Sequence, residues 1–326
     1  MNKTSPLPKI RWNLIALIIF FLLFAGKCNR GLRAIEEEKA RQEAVAKRTK
    51  NLIGTIKGIS YTEVTRKFDN GLSFSSVGYQ LVPEWRISFP SNDSVNIFSP
   101  KKQRFLNAPV VFDHDSIFNV AWAWLKLKHL SKDSLKFMVL HVTNNVIDDE
   151  KVHVFMTFYS NDYIKNVLHS DTNKLWEPSA KDSAYIKQKV DKANVNLNDA
   201  FAGTQPADLV SRSVLLTIKK ELAKDDEING AKSYDDYLSP TFDITIHHAY
   251  TDFSYSYTAF VDQNGTITFR KSTIYLSPEF VKPYSEAMKG ITNSYLKLYL
   301  NVTPAKTLGM AHSSIIFLNV VGFKDR

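Results

Sequence analysis

Residues Tyr257–Ser272 read YTAFVDQNGTITFRKS. Two stretches rich in β-branched and aromatic residues flank Asp262-Gln263-Asn264-Gly265. An Asn-Gly pair tolerates the positive φ that a tight turn needs, so the segment reads as a β-hairpin. Upstream, Phe242–Val261 is strand-like throughout. Downstream, Thr266–Leu276 returns as a strand, Pro278–Tyr299 reads as a helix interrupted by Pro283, and Ile315–Phe323 as a closing strand. A hairpin–helix–strand unit therefore ends the chain.

Aromatic residues crowd the first strand: Tyr250, Phe253, Tyr255, Tyr257 and Phe260. By the period of two, Phe253, Tyr255 and Tyr257 share one face. Sheet-face packing is the plain reading, and a stacking surface for a sugar or a peptide is the sharper one.

Further upstream, a proline in the first turn followed by an acidic residue, at Pro206-Ala207-Asp208, signals a helix to about Glu227. Leu209, Val210, Val214, Leu215, Ile218 and Leu222 form its apolar face. Asn194–Gln205 reads as a connection between two domains. Helical pieces are expected at Asp162–Leu168 and Ser183–Ala193, and from Ser116 to about Leu130, where a strand is the alternative. Residues 60–160 otherwise read as short strands: Leu72–Tyr79, Trp85–Phe89, Val95–Phe98, and a hairpin of Leu135–Val142 with Val152–Phe158.

At the other end, Leu14–Gly26 (LIALIIFFLLFAG) contains no polar side chain. Thirteen residues reach only ~20 Å as a helix, short for a span, but Trp12 to Cys28 comes to the lower limit of about 17 residues. Lys3, Lys9 and Arg11 precede it, as in a signal peptide, yet Lys27 spoils both a cleavage site and a lipidated Cys28. The reading adopted is an uncleaved, single-pass anchor within residues 1–29. A basic helical stalk follows over 30–58, then a strand-rich domain over 60–200 and a second domain over 205–326. The fold class expected is α+β.

The net charge is +9, but residues 1–60 carry +8 of it. The remainder is near neutral and lacks the basic footprint of a nucleic-acid binder. Beside a membrane, the basic cluster suits anionic headgroups. Eight Lys/Arg after the apolar run against three before it argue for a cytoplasmic domain. The export-like N-terminus argues the other way, and an extracytoplasmic domain, periplasmic if bacterial, is the expectation. A single cysteine, Cys28, excludes an internal disulfide.

No phosphate loop, GxGxxG, HExxH or GxSxG is present. Histidines occur in Asp113-His114-Asp115, in His247-His248 and as a cross-hairpin candidate, His141 with His153. A solvated turn, opposed strand faces and structural pairing are the respective plain readings, with metal ligation the sharper one. No cofactor or metal is expected.

The segment 257–326 resembles the C-terminal domain of the TonB energy-transducer family. After the hairpin come SEAMKGI and TPAKTLGMAHSSIIFLNVVGF, with Gly265, Pro304, Ala305, Gly309 and Phe323 in the pattern's places. The helix is longer than the family's, and a proline-rich spacer is missing. The resemblance implies peptide recognition by strand addition at Ile315–Phe323. Its partner-binding residues would be Ile315, Phe317, Asn319, Val321 and Phe323. The functional expectation is a membrane-anchored binding or scaffold protein, and the alternative is an envelope enzyme with a carboxylate/histidine site.

Overall fold

The structure, a computed structural model, describes residues 33–100, 102–121, 123–143, 146–147, 153–222 and 235–324. The anchor proposed within residues 1–29, and the Trp12–Cys28 span, lie outside them. Among the described residues no helix is long and apolar enough to cross a membrane.

Strands dominate, which corrects the α+β expectation: the fold is mostly β. The first half is a closed antiparallel barrel. Its strands are β1 (Ser60–Phe68), β2 (Arg86–Ser91), β3 (Ser94–Ser99), β4 (Arg104–Phe112), β5 (Ile117–Val120), β6 (Ala123–Leu130), β7 (Ser134–Leu140) and β10 (Val154–Ser160). The short pair β8 (Val142–Thr143) and β9 (Val146–Ile147) extends the connection to β10. Each strand pairs with its sequence neighbours, and β1 closes the ring between β10 and β2, with Tyr61 opposite both Ser160 and Ile87. The helix expected from Ser116 is instead β5 and β6. Phe118 and Leu125 alternate into the barrel there, and tertiary pairing overrides helical spacing.

The barrel interior is filled. Phe112, Phe118, Phe137 and Phe158 stack in series at centroid distances of 5.8, 5.6 and 5.5 Å, favourable edge or tilted contacts. One end is closed by helix α1 (residues 33–54): Ile53, and Ile56 just beyond it, are each 1% exposed within the barrel core. The expected stalk is thus helical, but its end is a plug rather than a solvated rod. A charge pair is also buried. Arg66 donates to both oxygens of Glu63 at 2.7 Å, and the N–H groups of Glu84 and Trp85 donate to the same carboxylate at 3.0 Å. Burial pushes the Glu63 carboxyl upward, and these four donors pull it back.

Helices α2 (Asn161–Asn166), α3 (Thr172–Leu175) and α4 (Ala180–Val195) lead away from the barrel. Ser179 and Asp182 form a capping box on α4, and the buried Asp182 also accepts from Ser73 N–H at 2.7 Å, tying the helix to the β1–β2 loop. Phe74, Ile186, Val190, Ala193 and Phe201 make a separate apolar cluster there, joined by Leu308 and Met310. Gly78, at φ +94°, lets the loop touch Ala202, whose carbonyl oxygen lies 2.1 Å from where a Cβ would stand.

The second half carries β11 (Asp208–Ser211), β12 (Leu216–Lys220), a turn of helix α5 (Asp235–Leu238), β13 (Thr241–Ile246), β14 (Phe253–Val261), β15 (Ile267–Ser272), helix α6 (Pro278–Ile291), β16 (Leu300–Thr303), β17 (Ala305–Thr307), β18 (Met310–His312) and β19 (Ser314–Gly322). The helix expected over 206–227 is β11 and β12. The polar Ser211–Ser213 corner breaks it, and its β-branched residues pair with β16 and β13. The main sheet runs β12-β13-β19-β14-β15, with β13 and β19 parallel. One face packs on α6. Tyr257 is fully buried beneath it, 3.0 Å from Thr292 Oγ1, and Thr292 donates to Met288 O. Burial pushes the Tyr257 phenol up to about 12.

At the junction of the two halves His312 is buried, its ring stacked on Phe201 at 3.8 Å and 5°. Nδ1 lies 3.1 Å from the Ser313 carbonyl, which can only accept, so Nδ1 carries the proton. Nε2 therefore accepts from Thr307 Oγ1 at 2.9 Å. Burial lowers the His312 pKa, and Lys189, 4.6 Å from the Phe201 ring centroid, lowers it further.

Candidate functional site

Strand β19 is the centre of its sheet. β14 pairs along its whole length and β13 along its second half. From Phe317 to Gly322 strands lie on both its sides and leave no edge for strand addition, which corrects the placement of partner binding over most of Ile315–Phe323. Even-numbered residues of β19 face α6. Ile315, Phe317, Asn319 and Val321 share the opposite face, half-buried. Asn319 spends its amide on a ladder: it donates to Asp243 Oδ1 at 3.0 Å and accepts from Ser256 Oγ at 2.8 Å.

The free edge lies one strand over. β15 pairs only with Tyr257–Val261 of β14, then leaves through Thr273, whose N–H donates to Ser256 O at 3.1 Å. Among the described residues no strand covers that edge of Phe253–Tyr255. This notch is lined by rings. Tyr250, Phe253, Tyr255, Tyr284 and Phe280 form a continuous strip with successive centroid distances of 6.1, 5.6, 5.6 and 6.1 Å. The strip passes from the sheet to the N-terminal half of α6, which stands clear of the core: only Met288 and Ile291 of that helix are buried.

Exposure separates this strip from ordinary packing. Tyr250 is 64% exposed, Phe280 50% and Tyr284 36%, and beside them Ile274, Tyr275 and Val281 are 50%, 95% and 47% exposed. Exposed apolar side chains clustered in this way make the strip a candidate contact site. Phe253 also lines an open cleft of about 720 Å³ together with Asp252, Val321, Gly322, Phe323 and Lys324. Lys324 N–H donates to Asp252 Oδ1 at 2.8 Å and holds the cleft's rim. Partial burial, with Tyr250 and Tyr284 nearby, pushes the Tyr255 phenol up, so it is neutral at ordinary pH and presents a hydrogen-bonding hydroxyl.

Of the residues singled out from the sequence, Tyr250, Phe253 and Tyr255 sit in this strip, and Val321 and Phe323 reach the cleft. Tyr257 is core, and Phe260 lies on the other face under Arg270, 5.5 Å away. Ile274, Tyr275, Phe280, Val281 and Tyr284 were not singled out. Their signal was six large apolar side chains within Ile274–Tyr284, more than a short helix start can bury.

The histidines do not converge. His114 is half-buried, and its ring Nδ1 lies 3.1 Å from the carboxylate of its neighbour Asp113. His247 meets Thr217 at 3.0 Å. Continuing the Val154–Val139 register places His153 beside Leu140 rather than His141. Among the described residues no group of three His, Cys, Asp or Glu could hold a metal.

No family model matches the sequence, and no curated protein matches it. Among solved structures, the bovine lipocalin allergen Bos d 2 is similar over 45% of this chain and 91% of the allergen, at 12% identity and a TM-score of 0.24. That superposition is too loose to carry any argument.

Proposed function

We propose that the protein is a membrane-tethered binding or scaffold protein that takes an extended peptide into the notch beside β14. The tether is the apolar Trp12–Cys28 run, with the described part of the chain on the extracytoplasmic side. The observation that carries the reading is the juxtaposition of an unpaired strand edge at Phe253–Tyr255 with five linked rings. A peptide backbone pairs with such an edge, and alternate side chains then fall on the rings. The TonB resemblance suggested strand addition at β19, and the present reading moves that chemistry to β14. The placement of His114 and His247 lends nothing to the alternative, an enzyme.

The test is to pan a random peptide display library against the full chain and against Tyr284→Ala. Peptides alternating apolar and polar residues should be selected, and Tyr284→Ala should weaken them about tenfold, as for a central aromatic anchor. N-methylation of the peptide backbone at alternate positions should abolish binding. Selected peptides that ignore both changes, or a glycan-array hit that Tyr284→Ala removes, would overturn the reading.

A further inference from the structure

The outer wall of the barrel carries a second surface, distinct from the notch. Inward side chains of β6, β7 and β10 are fixed by the core: Leu125, Leu135, Phe137, Met156 and Phe158. Their neighbours in sequence therefore face outward. The ladder register then aligns one row across four strands, in which Lys67 of β1 is opposite Phe155, Phe155 opposite Met138, and Met138 opposite Lys126 of β6. The next row runs Thr65, Thr157, Lys136, His129 by the same pairing. Lys128, Lys136 and His129 are exposed, while Lys67, Lys126, Phe155 and Met138 are half-buried. Helix α2 starts directly after Ser160, and Trp176, just past α3, donates from Nε1 to Glu63 O at 2.7 Å, so both helices meet the strands on the Tyr61–Glu63 side of Lys67.

The two rows carry three lysines, Lys67, Lys126 and Lys136, and no carboxylate. The nearest described carboxylate on β6, β7 or their turn is Asp133, at the turn itself. The lysines bracket an apolar centre, Phe155 and Met138, and the end lysines stand three strand spacings apart, or about 14 Å. Lys136 Nζ lies 5.1 Å from the Phe155 ring centroid.

We propose that this wall docks on an anionic lipid surface, with Phe155 and Met138 at the headgroup level and the lysines on the phosphates and carboxylates around them. A cationic rim about an apolar centre matches the layering of a bilayer interface. The same chain supplies the apolar Leu14–Gly26 run and a basic cluster of +8 within its first 60 residues. A single-stranded nucleic acid fits the wall less well. It needs several ring faces for successive bases, and these rows offer one ring, already under a lysine.

The test uses the full chain with Cys28→Ser and Thr157→Cys, an environment-sensitive dye on the new cysteine, and two vesicle types. Phosphatidylcholine vesicles test the apolar run alone; phosphatidylcholine with phosphatidylserine engages the N-terminal basic cluster as well as the wall, and the dye position and the lysine variants below separate the two. The dye should shift to the blue only on the serine-containing vesicles, and high salt should weaken the effect. Lys136→Glu alone should cost about fivefold in apparent affinity, and the triple reversal of Lys67, Lys126 and Lys136 to glutamate about a hundredfold, at ~1 kcal/mol per lysine. Lys136 is exposed, so the single variant remains informative if the triple one is unstable. An equal shift on both vesicles, indifference to Lys136→Glu, or tighter binding to a single-stranded oligonucleotide than to the anionic vesicles would each overturn the proposal.

Discussion

Phe253 lies across Gly322, its direct partner on β19, so closely that a Cβ on Gly322 would stand 2.3 Å from the ring's Cε1. The ring covers the backbone that glycine leaves bare, and this contact fixes the first aromatic of the β14 notch and one wall of the cleft.

Gly322→Ala is therefore expected to destabilise the protein by about 1–3 kcal/mol, the cost of overpacking, and to weaken notch-binding peptides by displacing Phe253. Gly290→Ala is the matched control. It sits in α6 with nothing within 4 Å of a new Cβ, and it should stabilise by ~1 kcal/mol through helix propensity. Urea denaturation of both variants checks the pair, and equal effects would contradict this account of Gly322.

Glu63 is the polar tie inside the barrel. Glu63→Ala removes the acceptor on which Arg66 and two backbone N–H groups converge. Breaking a buried pair from one side costs about 3–5 kcal/mol. Loss of less than ~1 kcal/mol in denaturant midpoint analysis would show that water replaces the carboxylate.

The His312 junction predicts a pH dependence with a definite sign. Its folded pKa lies below the ordinary 6.5, so the unfolded chain takes up the proton first. The contribution is complete above about 6.5 and is lost as pH falls below it. Protonation would set an N–H against the Thr307 hydroxyl, which now donates to Nε2, and add a charge near Lys189. Thermal melting from neutral to mildly acidic pH should show a decline in the native protein that is smaller in His312→Gln. Parallel curves for the two proteins would remove His312 as the cause.

Full-length protein should sediment with membranes, resist extraction by salt and be released by detergent. Each large side chain of Leu14–Gly26 gains roughly 1.5–3 kcal/mol on burial, whereas the basic residues act through a screened attraction. Release by salt alone would show that the segment is not inserted.

The hairpin around Asp262–Gly265 was legible because its turn chemistry is local: Asp262 accepts from Asn264 and Thr266 N–H. Helix α6 and strand β19 were legible for the same reason. The sequence pairing of Phe253 with Tyr255 on one face was correct, because period two is also local. What Tyr255 meets was not legible, since Tyr284 arrives only when α6 folds back on the sheet. Nor could the sequence say that β19 is central, because its parallel neighbour β13 lies more than seventy residues earlier. The 206–227 stretch misled for a physical reason. Leu209, Val210 and Ile218 serve a helical stripe and an interrupted strand pair equally well, and partners elsewhere decide between them. The barrel was under-read because ring closure between β1 and β10 is non-local.

The parallel pairing of β13 with β19 sets an order of events in the cell. A nascent chain leaves the ribosome N-terminus first, so β13 and β14 are made while the strand that belongs between them does not yet exist. At about 5–20 residues per second, this vacancy lasts several seconds. Throughout it, two hydrogen-bonding edges rich in isoleucine and aromatic residues stand open, so a chaperone that recognises extended apolar chain has a defined window in which to act. Slowing translation between Val261 and Ser314 should lengthen that window and raise the misfolded fraction without any change in the protein's sequence.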